Sequence, residues 1–227
     1  MFKTIKPALF ALCCLAIVSC KKDIVEEKAL PTEGNIKNSS VDPNINSSYY
    51  PNANGSDYTY VDTTDAGSST SAKSATAILG DTTIDGKTFS KTSSGSTSNF
   101  NYLNSNAGVT TLVSFNGEDK ITSTVLKANE PVGTVWTDNF SNAGVPGKYE
   151  WKMIAKGITR TVLGVTFKDV IQVHMTGTAT VPAQGKVVFA DADYFYAPNT
   201  GLIESITYNT VTGKTELHRV LQNRNKP

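Results

Sequence analysis

Two histidines, His174 and His218, are the only imidazoles with which this chain could move a proton or bind a metal ion. In "VIQVHMTG" the apolar residues Ile171, Val173 and Met175 alternate with polar ones, so an extended strand places His174 on the opposite, polar face. His218 alternates with leucines in the same way. Catalytic and metal sites need several convergent groups. We therefore predict that both histidines lie on a solvated sheet face without a catalytic or metal role.

Carboxylates are the other candidate reactive groups. Asp191 and Asp193 share one face of a predicted strand, which fits a cation site or a charged strand end that discourages edge pairing. The second interpretation is favoured. A glycosidase would need two carboxylates facing each other across a cleft. The sequence does not choose among the candidates for such a pair, which are Glu118, Asp119, Glu130, Glu150 and Glu204.

Motifs of known chemistries are missing from the sequence. It holds no GxSxG nucleophile elbow, HExxH pair or phosphate-binding glycine loop. "DPNINS" from Asp42 begins like a calcium loop, but Ser47 stands where that loop requires glycine and Ala53 where it requires glutamate. We predict no catalytic residue, no metal site and no cofactor.

Aromatic residues are expected to form core rather than a ligand platform. Trp151 alternates with Tyr149 and Met153, which is the pattern of a buried strand face.

The stretch "DYFYAPNTGLIES" (193–205) also carries aromatic residues. Alternation places Phe195 in the core, whereas Tyr194 and Tyr196 lie on the other face with their hydroxyls in water. The proline and glycine of this stretch predict a hairpin turn.

The amino terminus carries a secretion signal. Lys3 and Lys6 precede an apolar run from Ala8 to Val18, which is too short to span a bilayer and is typical of a signal peptide. The run ends in "IVSC", which resembles the bacterial lipobox, with small Ser19 before Cys20. That resemblance implies cleavage before Cys20 and its modification with diacylglyceryl and fatty acyl chains such as palmitate. An ordinary secretory leader is the alternative.

The cysteine count supports the lipoprotein interpretation. Cys13 and Cys14 leave with the leader, so the mature chain keeps Cys20 alone and has no disulfide. Several acyl chains make a stable membrane anchor. We predict a lipid-anchored protein of the cell envelope, attached to the outer membrane and facing the periplasm or the outside. The 21 basic and 20 acidic residues form no dense basic run, so no nucleic acid partner is expected.

The chain divides into a lipoprotein signal peptide (1–19), a lipidated flexible tether (20–54) and a single all-β domain (55–227). The tether is polar, rich in Asn and Ser, and without sustained periodicity. Beyond it, short alternating runs are separated by Asp85-Gly86, Asn116-Gly117, Pro146-Gly147 and Thr212-Gly213, which predict hairpin turns of an antiparallel meander. The predicted strands are 57–63, 72–79, 87–92, 109–115, 121–128, 133–140, 148–157, 159–167, 169–181, 185–197, 202–209 and 214–221.

Four segments resemble a group of secreted and lipid-anchored proteins of the Bacteroidota that are described as TapB-like. They are "SSYYPNANGSDYTYVDT", "DTTIDGKTF", "NEPVGTVWTDNF" and "DYFYAPNTGLIES". The resemblance covers residues 49–221, although Asp57 stands where the group has tryptophan. It implies a curved antiparallel sheet or half-barrel, and it brings no established catalytic residues.

Two functions remain compatible with these observations. The first is a non-enzymatic binding or structural module of the envelope, whose partner is an apolar or glycan ligand or a neighbouring envelope protein. The second is a carboxylate-dependent hydrolase acting on an envelope or dietary polymer. The sequence shows no nucleophile paired with a base, which favours the first.

Replacement of Cys20 tests the anchor. In Cys20→Ala the thiol that would form the thioether is lost, so the protein should leave the membrane fraction or accumulate with its leader uncleaved. Cell fractionation and the intact mass of the mature chain measure both outcomes. Normal cleavage with unchanged membrane partitioning would contradict the prediction.

Overall fold

The computed structural model describes residues 48–50, 53–64, 70–93 and 100–226. The predicted signal peptide, Cys20, the "DPNINS" stretch and most of the predicted tether lie outside these residues. The regular secondary structure of the described ranges consists of β-strands alone. Those ranges contain no apolar helix of membrane-spanning length.

Within the described residues twelve antiparallel strands form one sheet, which confirms the predicted antiparallel meander. Strands that follow each other in the chain pair, except β6 and β7, and β1 also pairs with β12, so the two ends of the domain meet in the middle of the sheet. The edges of the sheet are therefore β6 and β7. The strands are β1 Asp57–Thr64, β2 Thr70–Ile84, β3 Lys87–Ser93, β4 Phe100–Asn106, β5 Val109–Asn116, β6 Asp119–Lys127, β7 Val135–Asn142, β8 Val145–Val162, β9 Val165–Val181, β10 Gly185–Ala197, β11 Gly201–Tyr208 and β12 Thr215–Asn225.

Tight turns join most of the strands. The predicted turn at Asp85-Gly86 has φ values of 49° and 75°, as a hairpin with two left-handed residues requires. The turn predicted at Pro146-Gly147 is wrong, because those residues lie inside β8 and the chain reverses at Ala143-Gly144, with φ values of 49° and 76°. Gly147 is required by side-chain packing and not by a turn. A Cβ there would stand 2.3 Å from the ring of Phe140, so the glycine makes room for that ring.

Side chains join the two edge strands and bring the sheet close to a closed barrel. Asp138 of β7 accepts hydrogen bonds from the backbone N–H of Thr124 (2.8 Å) and from the Ser123 hydroxyl (3.3 Å) of β6. The Trp136 indole donates to the Thr124 carbonyl at 2.6 Å. The two side chains thus satisfy both backbone groups of Thr124 that a neighbouring strand would otherwise pair. The expected curved sheet curls further than a half-barrel.

A second group of contacts holds the turn ends of the same two strands. The Asn116 amide donates to the Asn142 side chain at 2.6 Å, and Asp119 accepts from the Ala143 N–H at 2.7 Å. We call the whole set of contacts between β6 and β7 the seam.

Aromatic rings fill the barrel along its length. At one end Phe140, Tyr149 and Phe189 pack together, with centroid separations of 4.7 to 6.1 Å. Trp151 is buried, as predicted, and its ring stacks 6.5 Å from that of Trp136. Other aromatic rings in the barrel interior belong to the candidate site.

Loss of Asp138 should weaken the closure. In Asp138→Ala the half-buried Thr124 N–H loses its acceptor, so the free energy of unfolding should fall by about 1–3 kcal/mol. Urea denaturation measures it. The control is Glu150→Ala, which removes an exposed ion pair with Lys148 and should cost less than about 1 kcal/mol. Equal losses in the two variants would mean that the seam contributes no special stability.

Candidate functional site

A cavity of about 120 Å³ lies inside the barrel. Its walls come from both halves of the sheet, so it exists only because the sheet curls round. Trp151, Tyr194 and Met175 form one side of it. Other strands of the sheet contribute Leu103, Leu112, Val125, Ile78, Tyr60 and Leu217.

Hydroxyl groups, the Asn101 amide, the Asp191 carboxylate and one ion pair supply the polar part of the wall. Ser205 and Thr207 of β11 line the cavity and stand opposite Tyr194 and Ala192 in the sheet register. Arg219 also lines it, and its guanidinium is held by both oxygens of Asp62 at 2.7 and 2.8 Å. The charge of Arg219 is therefore already matched within the protein.

Tyrosine hydroxyls around the cavity stay neutral. Burial is the largest cause that raises the pKa of Tyr60 and of Tyr196 well above the usual value. Burial also raises the pKa of Tyr50. These three tyrosines therefore carry no charge near neutral pH.

The aromatic stretch 193–205 forms one wall of this cavity. The predicted hairpin is present, because β10 and β11 are joined by a short turn in which Asn199 has a φ of 56° and Gly201 a φ of 97°. Phe195 is buried, as expected. The prediction of wet tyrosine hydroxyls is wrong: Tyr194 and Tyr196 are both buried in the barrel interior.

That error has a physical cause. Local alternation assigns residues to two faces, and it treats one face of a sheet as wet. In this barrel the face bearing Tyr194 turns inward, whereas the face bearing Phe195 packs in a cluster with Val162 and Phe167, near the tip of the β8–β9 hairpin. The Arg160 guanidinium lies 4.2 Å from the centre of the Phe195 ring. Both faces of β10 are therefore covered.

A short segment before β1 lies against one end of the barrel. The Ser48 carbonyl accepts from the Asn199 N–H at 2.8 Å, and the Tyr49 hydroxyl donates to the Asp169 carbonyl at 2.9 Å. The ring of Tyr50 lies 6.0 Å from that of Tyr196 and lines the cavity. The residues that lead into the domain thus form part of the cavity wall.

The outer face of the same strands carries a charged cluster around His174. Its Nδ1 lies 3.0 Å from Asp193 and its Nε2 lies 3.3 Å from Asp191. The Tyr208 hydroxyl donates to Asp193 at 2.9 Å. The hydrogen bond with Asp193 is the largest cause that raises the pKa of His174, and the charges of Asp193 and Asp191 add to it against the effects of burial and Lys152. The two aspartates that suggested a cation site face this imidazole instead.

Glu204 is the centre of a second charged cluster on that face. Arg160 binds its two oxygens at 2.5 and 2.9 Å, and His218 Nε2 lies 2.7 Å from one of them. Burial would raise the pKa of Glu204, but the hydrogen bonds from Arg160 and His218 outweigh it and hold the pKa below its usual value. Glu204 is thus a paired structural carboxylate.

The other candidate carboxylates are scattered. Asp119 lies in the seam, and Glu150 forms its exposed pair with Lys148. Glu118 and Glu130 are exposed in turns. Across the described part of the chain, no three or more His, Cys, Asp or Glu side chains gather as a metal site would require.

Comparison with known proteins shows a fold and no family. No family model matches this chain, and no curated protein matches it. Among solved structures, a proposed lipoprotein from Parabacteroides distasonis ATCC 8503 is similar with a TM-score of 0.51 and 13% identity, over 79% of this chain and 99% of that one. A proposed exported protein of YmcC-like fold from Bacteroides fragilis NCTC 9343 matches with a TM-score of 0.42 and 13% identity, over 79% of this chain and 100% of that one. The first of these likenesses shows a shared fold.

The His174 cluster should make stability depend on pH. A histidine whose pKa is raised in the folded state stabilises that state fully below its unfolded pKa of about 6.5, and this contribution is lost as pH rises through the higher folded value. The free energy of unfolding should therefore fall as pH rises above about 6.5. Denaturation across pH 6 to 9 measures the slope.

Two variants assign that slope to the cluster. His174→Gln removes the titrating group, and Asp193→Asn removes the charge that holds the proton, so each should flatten the fall in stability. An unchanged slope in both variants would show that other groups cause it.

Proposed function

We propose that this protein is a non-enzymatic, lipid-anchored protein of the bacterial envelope that binds a small ligand inside its barrel. The observation that carries the proposal is the interior cavity, walled by aromatic rings and a few hydroxyls. Natural ligand sites have this composition, in which apolar and aromatic surface is combined with a small number of placed polar groups.

The envelope location is supported by two independent features. The lipobox-like "IVSC" ends an apolar leader, and Cys20 is the proposed point of lipidation. The fold is shared with a protein of Parabacteroides distasonis that is itself a proposed lipoprotein. Attachment to the outer membrane, with the barrel facing the periplasm or the outside, and kinship with the TapB-like group remain parts of the proposal.

The hydrolase alternative gains no support from the arrangement of carboxylates. Glycoside hydrolysis needs one acid and one base or nucleophile on either side of the scissile bond. Glu204 is bound by a guanidinium and an imidazole, and Asp193 by an imidazole and a phenol. Carboxylates held in this way stabilise the sheet, and they lie on the face opposite the cavity.

Native mass spectrometry tests the proposal on the full chain isolated from envelopes. A small molecule should stay bound to the wild-type protein under gentle ionisation and be lost from Ala192→Leu, because Ala192 is buried and lines the cavity. The control Val188→Leu changes an exposed position on the same strand and should retain the molecule. Equal occupancy in both variants would place the ligand elsewhere and refute binding in the barrel.

A further inference from the structure

The proposed function leaves the chemical class of the ligand open, and the geometry of the cavity narrows it. We propose that the cavity takes a neutral compound of a single six-membered ring carrying one hydroxyl or carbonyl group. This inference rests on the proposed function, since it names the ligand of the same site. It favours a single ring over the longer apolar chains and the oligosaccharides that the sequence left open.

Volume indicates how large a group the cavity can enclose. The cavity measures about 120 Å³. An engineered apolar cavity of about 150 Å³ in another protein binds benzene. The cavity therefore has room to enclose one ring. The rings of Phe140, Tyr149 and Phe189 pack against one another elsewhere in the interior and leave it no extension among them.

The charges of the wall are matched within the protein, which favours a neutral ligand. Asp191 lines the cavity and lies 3.3 Å from His174, and Arg219 is paired with Asp62. Arg219 reaches the cavity, but Asp62 binds its guanidinium in a two-point contact, so an anionic ligand would have to break that pair. Separating one partner from a buried pair leaves an uncompensated charge, which is strongly unfavourable. The buried tyrosines stay protonated and offer no negative charge to a cation.

The shape of the wall favours a flat or chair-shaped ring. Trp151 and Tyr194 lie 5.6 Å apart with an interplanar angle of 41°, and both line the cavity. Aromatic faces of this kind pack against other rings. Ser205 and Thr207 stand beside Tyr194 and Ala192 in the register, so a ring in contact with the aromatic side can reach a hydroxyl with one polar substituent.

The test uses purified mature protein and defined probes. Phenol and cyclohexanol represent the neutral ring, benzoate and benzylamine its charged analogues, hexadecanoate an apolar chain and maltotriose a glycan. Calorimetric titration gives the affinity of each probe, and tryptophan fluorescence reports contact with Trp151. We expect phenol or cyclohexanol to bind the wild-type protein at least tenfold more tightly than either charged analogue.

Variants tie the binding to the cavity. Ala192→Leu fills the space from β10 and should weaken binding of the neutral ring at least tenfold, whereas the exposed Val188→Leu should leave it unchanged. If Ala192→Leu does not fold, Thr207→Leu narrows the same wall from β11. Neutral-ring binding that survives the filling variant overturns the assignment to this cavity.

Other outcomes separate the two proposals. Cavity-dependent binding of hexadecanoate or maltotriose in place of the neutral rings would overturn the ring class and leave the proposed function standing. Benzoate or benzylamine binding as tightly as phenol would overturn the requirement for neutrality alone. If no probe binds and native protein from envelopes carries no ligand, both proposals fail.

Discussion

The closure of the sheet by side chains is the constraint on which the rest of the structure depends. An antiparallel sheet ends in unpaired backbone groups at each edge, and β6 and β7 are the two edges here. Asp138 and Trp136 supply an acceptor and a donor to Thr124 in place of a strand ladder. Because the edges meet in this way, one face of each strand near the seam faces the interior. Strands from both halves of the sheet therefore enclose the cavity.

Closure also separates the mainly apolar interior of the barrel from the charged clusters on its outer face. Two charged groups line the interior, where Arg219 is paired with Asp62 and Asp191 lies 3.3 Å from His174. The buried Tyr60 and Tyr196 stay protonated. The outer face holds the His174 and Glu204 clusters. His174 and His218 have partners on neighbouring strands, whereas Arg160 of β8 reaches Glu204 of β11. The polar outer network lies on the face of β10 opposite Tyr194, which lines the cavity.

Particular strands and turns show what the local sequence pattern could and could not predict. The Asp85-Gly86 hairpin and the strands on either side of it were predictable, because alternation and turn chemistry agree there. β4 was missed, since "NFNYLNSN" is too rich in Asn and Ser to show an alternating apolar face. The predicted strand 159–167 is divided between β8 and β9 by a turn at Leu163-Gly164, where a leucine with a φ of 46° takes the place usually held by Asn or Asp.

By itself the sequence determined the β class, most strand positions, the burial of Trp151 and the expectation of a leader that ends before Cys20, because each depends on residues within a few positions of one another. Only the tertiary structure decided that the sheet nearly closes, that Tyr194 and Tyr196 face inward, and that Asp191 and Asp193 bind an imidazole. Those outcomes depend on register and twist summed over twelve strands. A two-residue period records that a strand has two faces, and it holds no information about which face the curvature of the whole sheet encloses.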